Sequence, residues 1–162
     1  MQLLDLTQAN IDTFLGINNL VVPHVNALNA EAVGHLFDLA FYAKYVEIDG
    51  AMAGFLLVLD PGQPYESLNY QWFSSRLEQF AYVDRIVITE EHRGQGVGRA
   101  LYEDLIQVCE RREIPRICCE VNIEPPNPGS AAFHAGFGFA SVGTQPTEAG
   151  AKEVDLLVKE LA

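Results

Sequence analysis

From Ile86 to Gly98 the chain reads Ile-Val-Ile-Thr-Glu-Glu-His-Arg-Gly-Gln-Gly-Val-Gly, an apolar run that enters a glycine-rich turn and leaves it as an amphipathic stretch. A strand that passes through such a turn into a helix makes an anion site. The first helical amides have no internal acceptor, the helix dipole adds positive potential, and absent side chains at Gly94, Gly96 and Gly98 let a ligand approach the backbone. Phosphate is the expected ligand, with Arg93 and Arg99 supplying charge-assisted hydrogen bonds. Two common phosphate motifs do not fit. The dinucleotide fingerprint needs a third glycine where this chain has Arg99, and the P-loop needs a Gly-Lys-Ser/Thr that is absent.

The elements around the turn follow from periodicity. Residues 2–7 read as a strand, followed by two helical stretches. The second spans Asn29–Ala43, where Ala32, Val33, Leu36, Phe37, Ala40 and Phe41 recur at helical spacing and Asn29 can cap. Lys44–Ile48 and Met52–Leu59 form an antiparallel pair through Asp49-Gly50, a hairpin dipeptide. Residues 60–79 are irregular and rich in aromatics (Tyr65, Tyr70, Trp72, Phe73), either a functional loop or a cover for the core edge. Phe80–Thr89 is a strand and 97–112 a helix, with Val97, Leu101, Leu105, Val108 and Cys109 on its apolar face. A strand at Ile117–Asn122, a short helix at Pro128–Phe137 and strands near Phe139–Gly143 and Glu153–Leu161 complete the chain.

Composition narrows the function. A chain of 162 residues with 49% hydrophobic content is expected to form one domain, 1–162, with an α/β core. The formal charge of −12 opposes nucleic acid binding and offers no basic stripe. No apolar run reaches membrane-spanning length and the first residues lack a basic leader, so a cytoplasmic protein without membrane contact is expected. Cys109, Cys118 and Cys119 fit neither a disulfide framework nor a metal pair. His24, His35 and His92 have no ligand-spaced partners, so no metal is expected.

The turn resembles motif A of the GNAT acetyltransferase superfamily, whose Arg/Gln-x-x-Gly-x-Gly/Ala signature falls on Arg93, Gly96 and Gly98. Glu91-His92-Arg93-Gly94-Gln95-Gly96 resembles the family's approach to that motif, with Glu90 standing where proline is usual. About 30 residues on, Asn127 to Phe139 resembles its Asn-x₆-Tyr-x₄-Gly-Phe element, with Asn127, Gly138 and Phe139 in register and His134 at the tyrosine position. The resemblance covers the chain from about residue 44. It implies a GNAT acyl-CoA acyltransferase fold, a mixed central sheet splayed between strands 4 and 5 and flanked by helices, with acetyl-CoA wedged in the splay.

The resemblance further implies an N-acetyltransferase that transfers directly to an amine in a ternary complex. Ile86, Val87 and Ile88 would line the pantetheine arm through their backbone. Arg93, Gly94, Gln95, Gly96, Val97, Gly98 and Arg99 would hold the diphosphate, and Asn127 and Phe133 would lie close by. The acceptor would enter between residues 18–30, residues 60–79 and the last hairpin. Glu120 corresponds to the glutamate base of the ribosomal-protein N-terminal acetyltransferases. Asp84 is the second candidate base, since the period-two rule places Tyr82, Asp84, Ile86 and Ile88 on one strand face. Its alternative is an ion pair with Arg85 or Arg116.

His134 stands where the family has its general acid. A histidine that is partly protonated near neutrality can protonate a leaving thiolate. The alternative is a tolerated substitution in an enzyme that protonates the thiolate through water. The acidic charge and short chain tilt the acceptor toward a small molecule, with a peptide amine as the other class. A homodimer is expected only by family likeness, and the rival function is a noncatalytic acyl-CoA sensor.

Overall fold

The computed structural model describes residues 1–161. Its strands are β1 (Gln2–Asp5), β2 (Tyr42–Ile48), β3 (Ala51–Leu59), β4 (Ala81–Ile88), β5 (Arg116–Glu124), β6 (Ala140–Thr147) and β7 (Lys152–Glu160). Its helices are α1 (Ile11–Leu20), α2 (Ala30–Leu39), α3 (Leu68–Ser74), α4 (Val97–Arg111) and α5 (Pro128–Gly136). The strands form one sheet in the order β1-β2-β3-β4-β5-β7-β6. Every pairing is antiparallel except β4 with β5, which is parallel. Among the described residues no helix is long and apolar enough to cross a membrane.

Most element boundaries follow the periodicity. At Asp49-Gly50 both residues take positive φ (51° and 79°), as a two-residue hairpin turn requires. Asn29 caps α2 by accepting from the amide of Ala32 at 2.9 Å. That helix ends at Leu39 rather than Ala43, because Phe41 donates its amide to Val58 and starts the β2 ladder. The aromatic segment contains α3, capped by Ser67, which drives Tyr70 and Phe73 into a core shared with Phe80 and Tyr82. Of the two readings of that segment, the cover for the core edge is the one its rings fulfil; Tyr65 and Asn69 line a cavity.

Helices cover both sides of the sheet. On one side Leu101, Tyr102 and Leu105 of α4 pack on Val46, Leu56, Val58, Ala81 and Val83. On the other, Phe14, Val33 and Leu36 of α1 and α2 pack on Phe55, Leu57 and Val87. The feature that positions chemistry is the brevity of the β4–β5 ladder: only Ala81 with Ile117 and Tyr82 with Cys118 are paired. Beyond Tyr82 the strands separate, so β4 from Val83 to Ile88 presents a backbone edge with no strand partner.

Strand β4 is not regular across this split. Arg85 pairs with Leu57 and Val83 with Val58, which leaves Asp84 as an extra, bulged residue. The bulge reverses the alternation. Tyr82 packs on the α3 side, whereas Ile86 and Ile88 pack on the α4 side with Val83. The expected single face of Tyr82, Asp84, Ile86 and Ile88 is thus incorrect, because one inserted residue shifts the phase of everything after it.

Candidate active site

One cavity of about 1200 Å³ runs from the glycine turn, through the split between β4 and β5, to the β6–β7 hairpin. Its first end is the N-terminus of α4. Gly96 occupies the N-cap position at φ 83° and no side chain caps the helix. Gly94 also has positive φ (77°), and a Cβ at either residue would meet nothing within 4 Å. Open space, uncapped amides and the Arg93 and Arg99 side chains on the cavity wall are what a diphosphate needs, so these residues fit the expected phosphate ligand.

Gly98 has a different reason to be glycine. A Cβ there would lie 3.0 Å from Cζ of Phe133, so the missing side chain seats an aromatic ring from α5 against α4. Two other expected cofactor contacts also have structural work. Asn127 caps α5 by accepting from Ser130, and Gln95 donates to the carbonyl of Glu91. Ile86, Val87, Ile88, Val97, Asn127 and Phe133 all line the cavity; Gln95 does not.

At the centre of the split Glu120 projects from β5. Tyr82 donates its hydroxyl to both carboxylate oxygens at 2.8 and 2.9 Å, and Asn69 donates to Oε1 at 3.1 Å. Asn69 is held in turn by Gln145 at 3.0 Å. Burial pushes the Glu120 carboxyl up to about 8, Asp84 nearby adds to this, and the Tyr82 and Asn69 hydrogen bonds oppose it. Burial, with the charge of Glu120, raises the Tyr82 phenol, which stays a donor at any working pH. A carboxylate with this affinity for protons is well matched to an amine of ordinary basicity.

Asp84 sits in the same cavity but is differently engaged. The bulge lets Arg85 donate Nε to Asp84 Oδ2 at 2.7 Å, and Tyr65 donates to Oδ1 at 2.5 Å. Arg85 is buried, and its remaining bonds go to Asn18 and Asn26. A paired, hydrogen-bonded carboxylate beside a buried guanidinium holds that charge in place. Of the two pairings considered for Asp84, Arg85 is the observed one. Arg116 instead donates to Glu160 and to the Gln79 carbonyl.

His134 lines the cavity but is only 2% exposed. Its Nδ1 lies 2.8 Å from the Ser130 carbonyl and must donate to it; Nε2 lies 2.8 Å from the Tyr102 hydroxyl and accepts from it. Burial lowers its basicity, and the proton on Nδ1 is committed to the Ser130 carbonyl. Tyr102 cannot readily replace that proton, because burial raises its phenol well above the usual range.

Tyr82, Tyr65, Asn69 and Gln145 were not distinguishable as site residues from sequence. They meet through tertiary packing, Tyr65 and Asn69 from the segment before β4 and Tyr82 and Gln145 from β4 and β6, and the only signals were the aromatic content of residues 60–79 and the likeness that put the acceptor between that segment and the last hairpin.

The comparisons with known proteins accord with this geometry. The acetyltransferase (GNAT) family model matches residues 18–139. No curated protein sequence matches the chain. Among solved structures, Ard1 from Thermoplasma volcanium superposes with a TM-score of 0.81 at 13% identity, over 99% of this chain and 97% of its own. The ribosomal-protein-S18-alanine N-acetyltransferase from Escherichia coli gives 0.74 at 18% identity, over 99% and 94%. The yncA protein of Salmonella typhimurium, whose structure contains its cofactor acetyl-CoA, gives 0.74 at 15%, over 100% and 94%. At such identities these likenesses establish the fold alone. With the family match across three quarters of its length, a sheet split between β4 and β5 and an uncapped glycine turn at one end of the split, the chain belongs to the GNAT family of acetyltransferases.

Proposed function

We propose that the protein transfers an acetyl group from acetyl-CoA directly to a primary amine, with Glu120 as the base. The observation that carries this is the position of Glu120: a proton-avid carboxyl, fixed by Tyr82 and Asn69, at the point where the split opens and midway along a cavity whose far end suits a diphosphate. The turn at Arg93–Arg99 would hold the diphosphate. The free edge of β4 would bind the pantetheine arm and polarise the thioester carbonyl through backbone amides.

Glu120 in its ionised form takes the proton from the amine. The neutral nitrogen then bonds to the acetyl carbon, the carbon–sulfur bond breaks, and the second proton that the nitrogen sheds on becoming an amide passes by way of water to the thiolate. Because both His134 nitrogens are engaged, the proton reaches sulfur from water and His134 serves to position α5 against Tyr102. Asp84 neutralises Arg85 and shapes the wall beside the base.

The test is thiol release from acetyl-CoA with a panel of amines. Glu120→Gln should lower turnover by about 10²-fold or more with acetyl-CoA affinity nearly unchanged. Wild-type protein that binds acetyl-CoA tightly but acetylates no amine would support the sensor reading instead.

A further inference from the structure

Two rows of residues cross the last three strands of the sheet, and the first ends on Glu120. Glu120 of β5 lies opposite Leu156 of β7, which lies opposite Gly143 of β6; two residues along, Asn122, Val154 and Gln145 form the next row. Val154 and Leu156 share a core with Tyr70 and Phe73 of α3. Cross-strand partners point to the same side of a sheet, so Gly143 and Gln145 face α3 as well.

Helix α3 meets β6 through two side chains three residues apart, and therefore on one helix face. Trp72 lies over Gly143, where a Cβ would come within 2.9 Å of its Cζ2. Asn69 accepts at Oδ1 from Nε2 of Gln145 at 3.0 Å. With Oδ1 held there, Nδ2 is the end of the Asn69 amide that meets Glu120, 3.1 Å from Oε1. The reverse orientation would set two acceptors against each other unless Glu120 carried a proton.

Resting on the acetyl-transfer reading, we infer that Gln145 is a positioning residue for the base: it fixes the direction of the Asn69 amide and so favours the ionised form of Glu120. The other groups around the carboxyl have their own commitments. Tyr82 donates to both of its oxygens, and Asp84 is engaged by Arg85 and Tyr65. Tyr65, Tyr102, Cys118 and Cys119 stay neutral because burial raises each of them. The Asn69 hydrogen bond opposes the effect of burial on Glu120, and Gln145 decides whether that bond is donated.

The test follows the Glu120 carboxyl itself, by carbon-13 NMR of protein labelled at glutamate Cδ, with the resonance assigned through Glu120→Gln. Gln145→Leu should raise the titration midpoint by about one pH unit, the scale of one hydrogen bond to a charged group. The acidic limb of kcat/KM should move up by the same interval, with turnover recovering at high pH. Asn69→Leu should raise the midpoint at least as far, and adding Gln145→Leu to it should change little, because the two residues act in series. A midpoint unmoved by Gln145→Leu, additive shifts in the double variant, or a loss of turnover that high pH does not restore overturns the inference. Movement of the midpoint in a protein that acetylates no amine would refute the proposed function and leave the coupling of Gln145 to Glu120 standing.

Discussion

Replacement of Glu120 by glutamine tests the site through stability as well as rate. In the folded protein the Glu120 carboxyl is pushed up to about 8, against 4.5 for an unperturbed glutamate. Between these values the native state holds a proton that the unfolded chain has released, so wild-type stability falls as pH rises from about 4.5 to about 8 and is flat above. At about 1.4 kcal/mol per pH unit, the difference of 3.5 sets a ceiling of roughly 5 kcal/mol. Glu120 retains partial contact with the cavity, so about 2–3 kcal/mol is expected after screening.

Glu120→Gln keeps the acceptor oxygen for Tyr82 and cannot ionise, so its stability lacks this slope. Urea denaturation of both proteins at pH 5, 6.5 and 8 should show the variant gaining on wild type as pH rises, with the contribution of His134 common to both and cancelling. Turnover should move the other way, about 10²-fold lower in the variant, with a defect that shrinks at high pH where the amine is already neutral. Parallel stability curves would refute a desolvated Glu120, and equal turnover would remove it as the base.

Asp84→Asn should destabilise the fold by about 3 kcal/mol or more, since it leaves Arg85 buried without its counter-ion, while turnover at permissive temperature stays within tenfold of wild type; lost turnover with unchanged stability would make Asp84 the base. His134→Phe should cost about 1–3 kcal/mol by orphaning the Tyr102 hydroxyl, with turnover within a few-fold of wild type; a large fall in turnover without destabilisation would restore His134 as the acid. Gly98→Ala should destabilise despite alanine's better helix propensity, because its Cβ meets Phe133, and Phe133→Leu should relieve it. Calorimetric stabilisation by Gly98→Ala alone would show that the ring moves freely.

The sequence made some of this legible and not the rest for physical reasons. Helix α4, the Asp49-Gly50 hairpin and the Asn29 cap are set by local patterns, and each formed close to its expected place. The glycine turn at the start of α4 was legible because its residues are contiguous. The bulge at Asp84 was not: an inserted residue is defined by the partner strand, so β3 is needed to see it. Asn69 lies 51 residues from Glu120 in the chain, and Tyr82 meets Glu120 only because β4 and β5 pair at their first residues before parting. His134 lies on α5 as expected, but its burial and its two hydrogen-bond partners, Ser130 and Tyr102, are tertiary facts that the sequence does not carry. Gly98, read as space for a ligand, lines the cavity and also leaves room for Phe133, which only the packing of α5 on α4 reveals.

The central claim is direct acetyl transfer between two molecules held together in the split beside Glu120. Initial velocities of thiol release, measured while acetyl-CoA and an amine accepted from the panel are each varied, test it most directly. Intersecting reciprocal plots, with turnover lost in Glu120→Gln, are the predicted result; parallel plots, or no transfer to any amine by a protein that binds acetyl-CoA, would contradict it.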